Sequence, residues 1–262
     1  EIVSKISKEQ FDGFDLEEAV DYFLDKRGEQ KLVDFLKEQF SVNSISDSQK
    51  YIGSIPWKRI YTTNYDNVID LAYKNNDKYI ETVTLSDSWS NYRESELPMC
   101  IHLNGSITRL NRESLQSEFK LTNVSYLTTD FVDSEWLKLF HSDLATSDYI
   151  VFIGFSLKYD LDLKRVFFNP NLYDKCFFIV SDKESDSSIR SIKKFGTPVP
   201  IGLESFTSEI SRVQATYIRS LGEFHTYSFK KNLIRIHKNT LEFRDSIVYD
   251  LYTKGDISSD IV

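Results

Sequence analysis

The chain has 262 residues, of which 40% are hydrophobic and 14% aromatic, and carries a formal net charge of -8. That composition supports a sizeable buried core and excludes global disorder. The acidic balance and the lack of a dense Lys/Arg block disfavour a nucleic-acid groove, and no stretch reaches the roughly 18 apolar residues of a membrane span.

Taken in chain order, residues 14–40 alternate apolar and charged at helical spacing and predict two helices broken near Gly28. Lys58–Thr62 predicts a short strand, followed by a helix with Asp66 near its start and Val68, Ile69, Leu71 and Ala72 turned inward. Residues 79–85 and 99–103 predict further strands, separated by the polar stretch 86–98. Residues 108–123 are mostly polar and read as an exposed loop. An amphipathic helix is expected over Asp130–Leu144, and Tyr149–Phe155, apolar on both faces, as the most buried parallel strand of the chain. A helix over 160–168 follows, halted before Asn169-Pro170. Cys176–Val180 predicts another buried strand, then a helix through Arg190, then a short strand over Thr197–Ile201. Helices are expected over 207–221 and 239–252. The alternation predicts an α/β fold: a Rossmann-like, doubly wound, mostly parallel sheet with helices on both faces, plus a helical C-terminal extension. The expected division is a domain over 1–206 and an extension, or the start of a further domain, over 207–262.

Cys100 and Cys176 each sit inside an apolar run and read as small core residues. No zinc or other metal site is expected, and the chain reads as a reducing, cytoplasmic protein without a signal peptide. It opens on Glu1 rather than Met, and is read as part of something longer.

Four of the apolar runs end in small polar residues: Thr62-Thr63-Asn64-Tyr65-Asp66, His102-Leu103-Asn104-Gly105-Ser106, Gly154-Phe155-Ser156 and Ser181-Asp182. Ligands of open parallel sheets sit outside the carboxyl ends of the strands, so these endings predict one cleft assembled from four loops. Asn64 and Asp66 read either as a turn residue and a helix-start acid, or as an amide and a carboxylate that orient water and stabilise a developing cation. His102 and Asn104, two apart at a strand end, share one side of the sheet. A histidine there reads as structural or catalytic, and Gly105-Ser106 lets backbone approach a ligand. Gly154 suits close approach of a nucleotide to the main chain, with Ser156 at a helix start for phosphate or ribose. A nucleophile elbow is excluded because Lys158 replaces its second glycine, and neither a dinucleotide fingerprint nor a Walker-type loop occurs.

In that order, YTTNYDNVID, IHLNGSI, YIVFIGFSLKYDLDL and FFIVSDKES resemble the sirtuin-like domains of bacterial anti-phage defence proteins, over residues 55–206. The resemblance implies a Rossmann-like cleft with NAD as substrate, hydrolysed to nicotinamide and ADP-ribose in an abortive-infection response. It implies a homo-oligomer regulated by a phage trigger protein or a partner ATPase, with no metal. By position, Asn64 resembles the family's water- and ribose-orienting asparagine, with Thr63 beside it, and Asp66 the acid facing the nicotinamide. Gly154 and Ser156 resemble the pair that receives the nucleotide, and Ser181 an adenosine-ribose contact.

Two departures stand against it. The family's catalytic histidine, directly before glycine, is replaced by Asn104 before Gly105, leaving His102 as the nearby histidine; asparagine is no general base at neutral pH. The family's N-terminal glycine-rich loop has no counterpart in residues 1–15. The sequence therefore supports an NAD glycohydrolase first, and second a catalytically inactive module that binds NAD or ADP-ribose or mediates assembly. A sirtuin deacylase is disfavoured by the lack of clustered cysteines.

Overall fold

A computed structural model describes residues 16–119, 121, 131, 134–155 and 169–214. Ser156 and the helices expected at 160–168 and 239–252 lie outside the described residues. The chain divides into two compact units between Phe140 and His141. The fold is α/β and Rossmann-like, with parallel strands alternating with helices in each unit.

The described residues of the first unit open with α1 (Leu16–Arg27) and α2 (Glu29–Phe40), broken at Gly28 as expected. Leu32, Val33 and Leu36 fall on one face of α2 and are buried there. After α3 (Asp47–Ile52), started by a capping box between Ser46 and Gln49, come β1 (Ile60–Thr62), α4 (Val68–Lys74), β2 (Glu81–Thr84) and β3 (Met99–His102). The strands are parallel in the order β1-β3-β2. The register sets Thr62 and Thr84 on either side of His102, so all three strands end at one level.

The segment expected as an exposed loop over 108–123 is largely structured. A 3-10 turn (Ile107–Arg109) leads to α5 (Arg112–Ser117), whose start is fixed by Asn111 and Ser114 in a reciprocal capping box. Ile107, Leu110, Leu115, Phe119 and Leu121 are buried with Val20, Phe23, Leu32, Val33 and Leu36 of the helical pair. Burying one such side chain stabilises by about 1.5–3 kcal/mol, so these few apolar residues outweigh the polar majority around them.

The second unit holds β4 (Ile150–Ile153), a 3-10 segment (Pro170–Lys175), β5 (Cys176–Val180), α7 (Asp186–Ile192), β6 (Thr197–Pro200) and α8 (Gly202–Gln214). The helix α6 (Glu135–Thr146) contains the point where the units divide. The strand order is β4-β5-β6, all parallel. Pro198 and Pro200 lack ladder donors, which suits β6 to an edge. The expectation that β4 is the most buried strand is corrected: Ile150, Val151 and Ile153 are half-buried, whereas β3 is buried throughout and β5 everywhere but its last residue. Among the described strands β4 pairs only with β5. Position 206 falls inside α8, where Phe206 is buried. Among the described residues no helix is long and apolar enough to cross a membrane.

Candidate functional site

The four polar strand endings fall two to each unit. In the first, the parallel register brings Thr63, Asn64 and Asp66, which follow β1, beside His102, Asn104, Gly105 and Ser106 at the end of β3. The Leu103 N–H donates to the Thr62 carbonyl at 2.8 Å, extending the ladder one residue past the strands. Asn104 Nδ2 donates to the Thr63 carbonyl at 3.0 Å, and His102 Nδ1 lies 2.9 Å from the Asn64 carbonyl. The Asn64 N–H donates to Thr62 Oγ1 at 3.0 Å, and the Ile107 N–H to the Tyr65 carbonyl at 2.7 Å. Tyr65 stacks on Phe119 with centroids 5.3 Å apart. The loop after β1 is thus held along its length, while the Asn64 side chain is exposed and makes no hydrogen bond among the described residues.

His102 is 1% exposed. A carbonyl only accepts, so the bond to Asn64 places the ring proton on Nδ1 and leaves Nε2 as a lone pair. Nε2 is buried with no hydrogen-bond partner among the described residues. Burial pulls the imidazole below its ordinary value, against the Asn64 carbonyl, the Asp70 and Asp66 carboxylates and the Gly105 carbonyl, which favour the proton. Burial thus works against a charged ring at this site.

Asp66 Oδ1 accepts from the Val68 N–H at 3.0 Å, a local bond at the start of α4. Gly105 has φ +93, and an added Cβ would sit 2.8 Å from the Phe119 ring. The protein's own Phe119 ring packs against this glycine. Ser106 is buried, with Oγ 2.9 Å from Thr108 Oγ1. Cys100, two residues before His102, is pushed well up, first by burial and then by Asp70 and Asp66, and is no nucleophile.

In the second unit, Gly154 follows β4 with φ +62, exposed, and an added Cβ would meet nothing within 4 Å. Ser181 is exposed after β5, and its Oγ accepts from the Lys183 N–H at 3.1 Å in a local turn.

Two features escaped the sequence reading. Asn67 bonds Val42 in both directions, its Oδ1 accepting from the N–H at 2.7 Å and its Nδ2 donating to the carbonyl at 3.1 Å, which joins the chain after α2 to the start of α4. At the end of β2, Asp87 accepts a two-point contact from Arg109, with Nη2 to Oδ1 at 2.8 Å, and the Thr84 N–H at 2.8 Å. Burial works to raise the Asp87 carboxyl, but these donors together bring it below the ordinary value. Ser86 Oγ donates to Glu118 Oε1 at 2.6 Å. The signal was present: Thr84-Leu85-Ser86-Asp87 ends an apolar run in small polar residues, as the other four endings do. Among the described residues no group of His, Cys, Asp and Glu side chains is placed to hold a metal ion.

The stretch of chain that carries the loops around Asn64 and His102 matches a family model. Residues 58–169 match the SIR2-like domain. The SIR2-like segment takes in β1 to β4 and both loops that meet around Asn64 and His102. It lies within the expected span of 55–206 and points to NAD-related activity. No curated protein matches the chain.

Proposed function

We propose that the SIR2-like segment binds NAD and hydrolyses it to nicotinamide and ADP-ribose. The observation that carries this reading is Asn64: its main chain is held at both N–H and carbonyl while its amide stands free at the sheet's carboxyl end. Nicotinamide leaves a pyridinium riboside as a neutral molecule, so bond cleavage needs no general acid. Positive charge passes to the ribose ring, where the Asp66 carboxylate stabilises it. The Asn64 amide orients the attacking water, which releases its proton to bulk solvent as the new bond forms. Such an activity fits an abortive-infection effector, held inactive in a homo-oligomer until a phage trigger protein or a partner ATPase releases it.

The test is nicotinamide release by the full-length protein. Asn64→Ala is expected to lower release by about a hundredfold or more, with an unchanged melting temperature. Undiminished release from that variant sinks the assignment. A second reading, a module that binds NAD or ADP-ribose without turnover, is favoured by one observation: His102 Nε2 is buried and the Asn104 amide is committed to Thr63. Calorimetric NAD binding with no nicotinamide release, even from the oligomer with its trigger, is the result that would select it.

A further inference from the structure

We propose that His102 and Asn104 form a two-donor clamp that sets the Asn64 amide, and that the imidazole positions this residue rather than transferring a proton. The proposal rests on the NAD-cleaving reading of the same site. Past Thr62 the main-chain ladder has one more rung, from the Leu103 N–H to the Thr62 carbonyl. The next two carbonyls, those of Thr63 and Asn64, receive side-chain donors instead, from Asn104 and His102. Three consecutive carbonyls of the loop are therefore held from the end of β3. With its N–H also bound to Thr62 Oγ1, residue 64 is held at both main-chain groups, which sets the direction in which its Cα–Cβ bond leaves the sheet.

The same geometry removes His102 as a base. One ring nitrogen carries the proton of the clamp, and the other lies inside the protein, beyond the reach of a substrate water. Asn104 is likewise explained by its donor: an amide opposite a carbonyl bonds, whereas a carboxylate there sets two acceptors face to face.

The clamp demands a donor at the Nδ1 position of residue 102, and two variants separate that demand from a demand for an imidazole. His102→Asn carries an amide nitrogen at the distance of Nδ1 from the backbone. His102→Gln carries it one bond further out, near the place of Nε2. His102→Asn is expected to hold kcat within about threefold of wild type, and His102→Gln and Asn104→Asp to lose about a hundredfold in kcat, the scale of a misplaced catalytic group. Nitrogen-15 histidine spectra of the wild-type full chain, with His102 assigned by its loss in His102→Asn, are expected to show the Nδ1–H tautomer. An Nε2–H tautomer overturns the clamp. So does a folded His102→Asn as inactive as His102→Gln, because the imidazole itself would then be needed; melting curves identify a variant that fails to fold, and the spectrum then decides. A wild type that releases no nicotinamide counts against the NAD-cleaving reading, and the clamp is still judged by its tautomer.

Discussion

Gly105 is the residue at which sequence, conformation and packing meet most tightly. Its φ of +93 is costly for any side chain, and a Cβ would press on Phe119 at 2.8 Å. Gly105→Ala is expected to cost about 2–4 kcal/mol, summing the strained backbone and an overpacked contact, and to show as a lower urea midpoint with an unchanged slope. A cost near zero would mean that the Phe119 ring is free to move aside. His102 gives a prediction in pH. Its folded-state value lies below the ordinary 6.5, so the unfolded chain takes up the proton first. Its contribution to stability is complete above 6.5 and is lost as pH falls below that and through the depressed value. The melting temperature should therefore fall from neutral to mildly acid pH in wild type, and less steeply in His102→Asn. Parallel curves would show that the ring is not held neutral by burial. The sequence marked His102 and Asn104 as a pair at a strand end. It did not reveal their work, because each bonds a carbonyl about forty positions away, and spacing along one strand says nothing of that partner.

At the scale of elements, two asparagines that each precede a helix do different work: Asn111 caps its own helix, whereas Asn67 bonds Val42. Asn67→Ala removes both bonds to Val42, and is expected to cost about 1–3 kcal/mol because the Val42 N–H and carbonyl are half-buried. Asn111→Ala removes only the cap of the short α5 and should cost about 1 kcal/mol, seen as faster amide exchange confined to 112–117. Equal costs would contradict the idea that Asn67 joins two elements while Asn111 serves one. The strands were the legible elements. Cys176–Val180 has the predicted bounds, and Met99–His102 and Ile60–Thr62 lie inside theirs, since an apolar run closed by small polar residues marks a parallel strand strongly. The helix over Arg112–Ser117 was not legible, because Arg112, Glu113, Gln116 and Ser117 face solvent, Leu115 is its one buried apolar residue, and the other anchors flank it at uneven spacing. The contact between Asp87 and Arg109 was hidden for another reason: its partners come from different loops and share no periodic pattern.

At the scale of the molecule, the division between Phe140 and His141 has a spectroscopic handle. The three tryptophans are Trp57, Trp89 and Trp136, all on the first side of that division. Fluorescence therefore reports the first unit, while far-ultraviolet circular dichroism reports helices and strands in both. Each unit has its own parallel sheet and its own buried residues, Ile101 and Val83 in one and Phe177 and Ile179 in the other. Separate cores are expected to unfold in separate steps, so urea transitions followed by the two probes should not coincide. Gly105→Ala should move the fluorescence midpoint. Phe178→Ala, which removes a buried ring stacked 4.2 Å from that of Phe152, should cost the second unit about 3–5 kcal/mol and shift the dichroism transition alone. If both variants shift both probes equally, the chain unfolds as one cooperative body, and the two sheets must then be counted as one core.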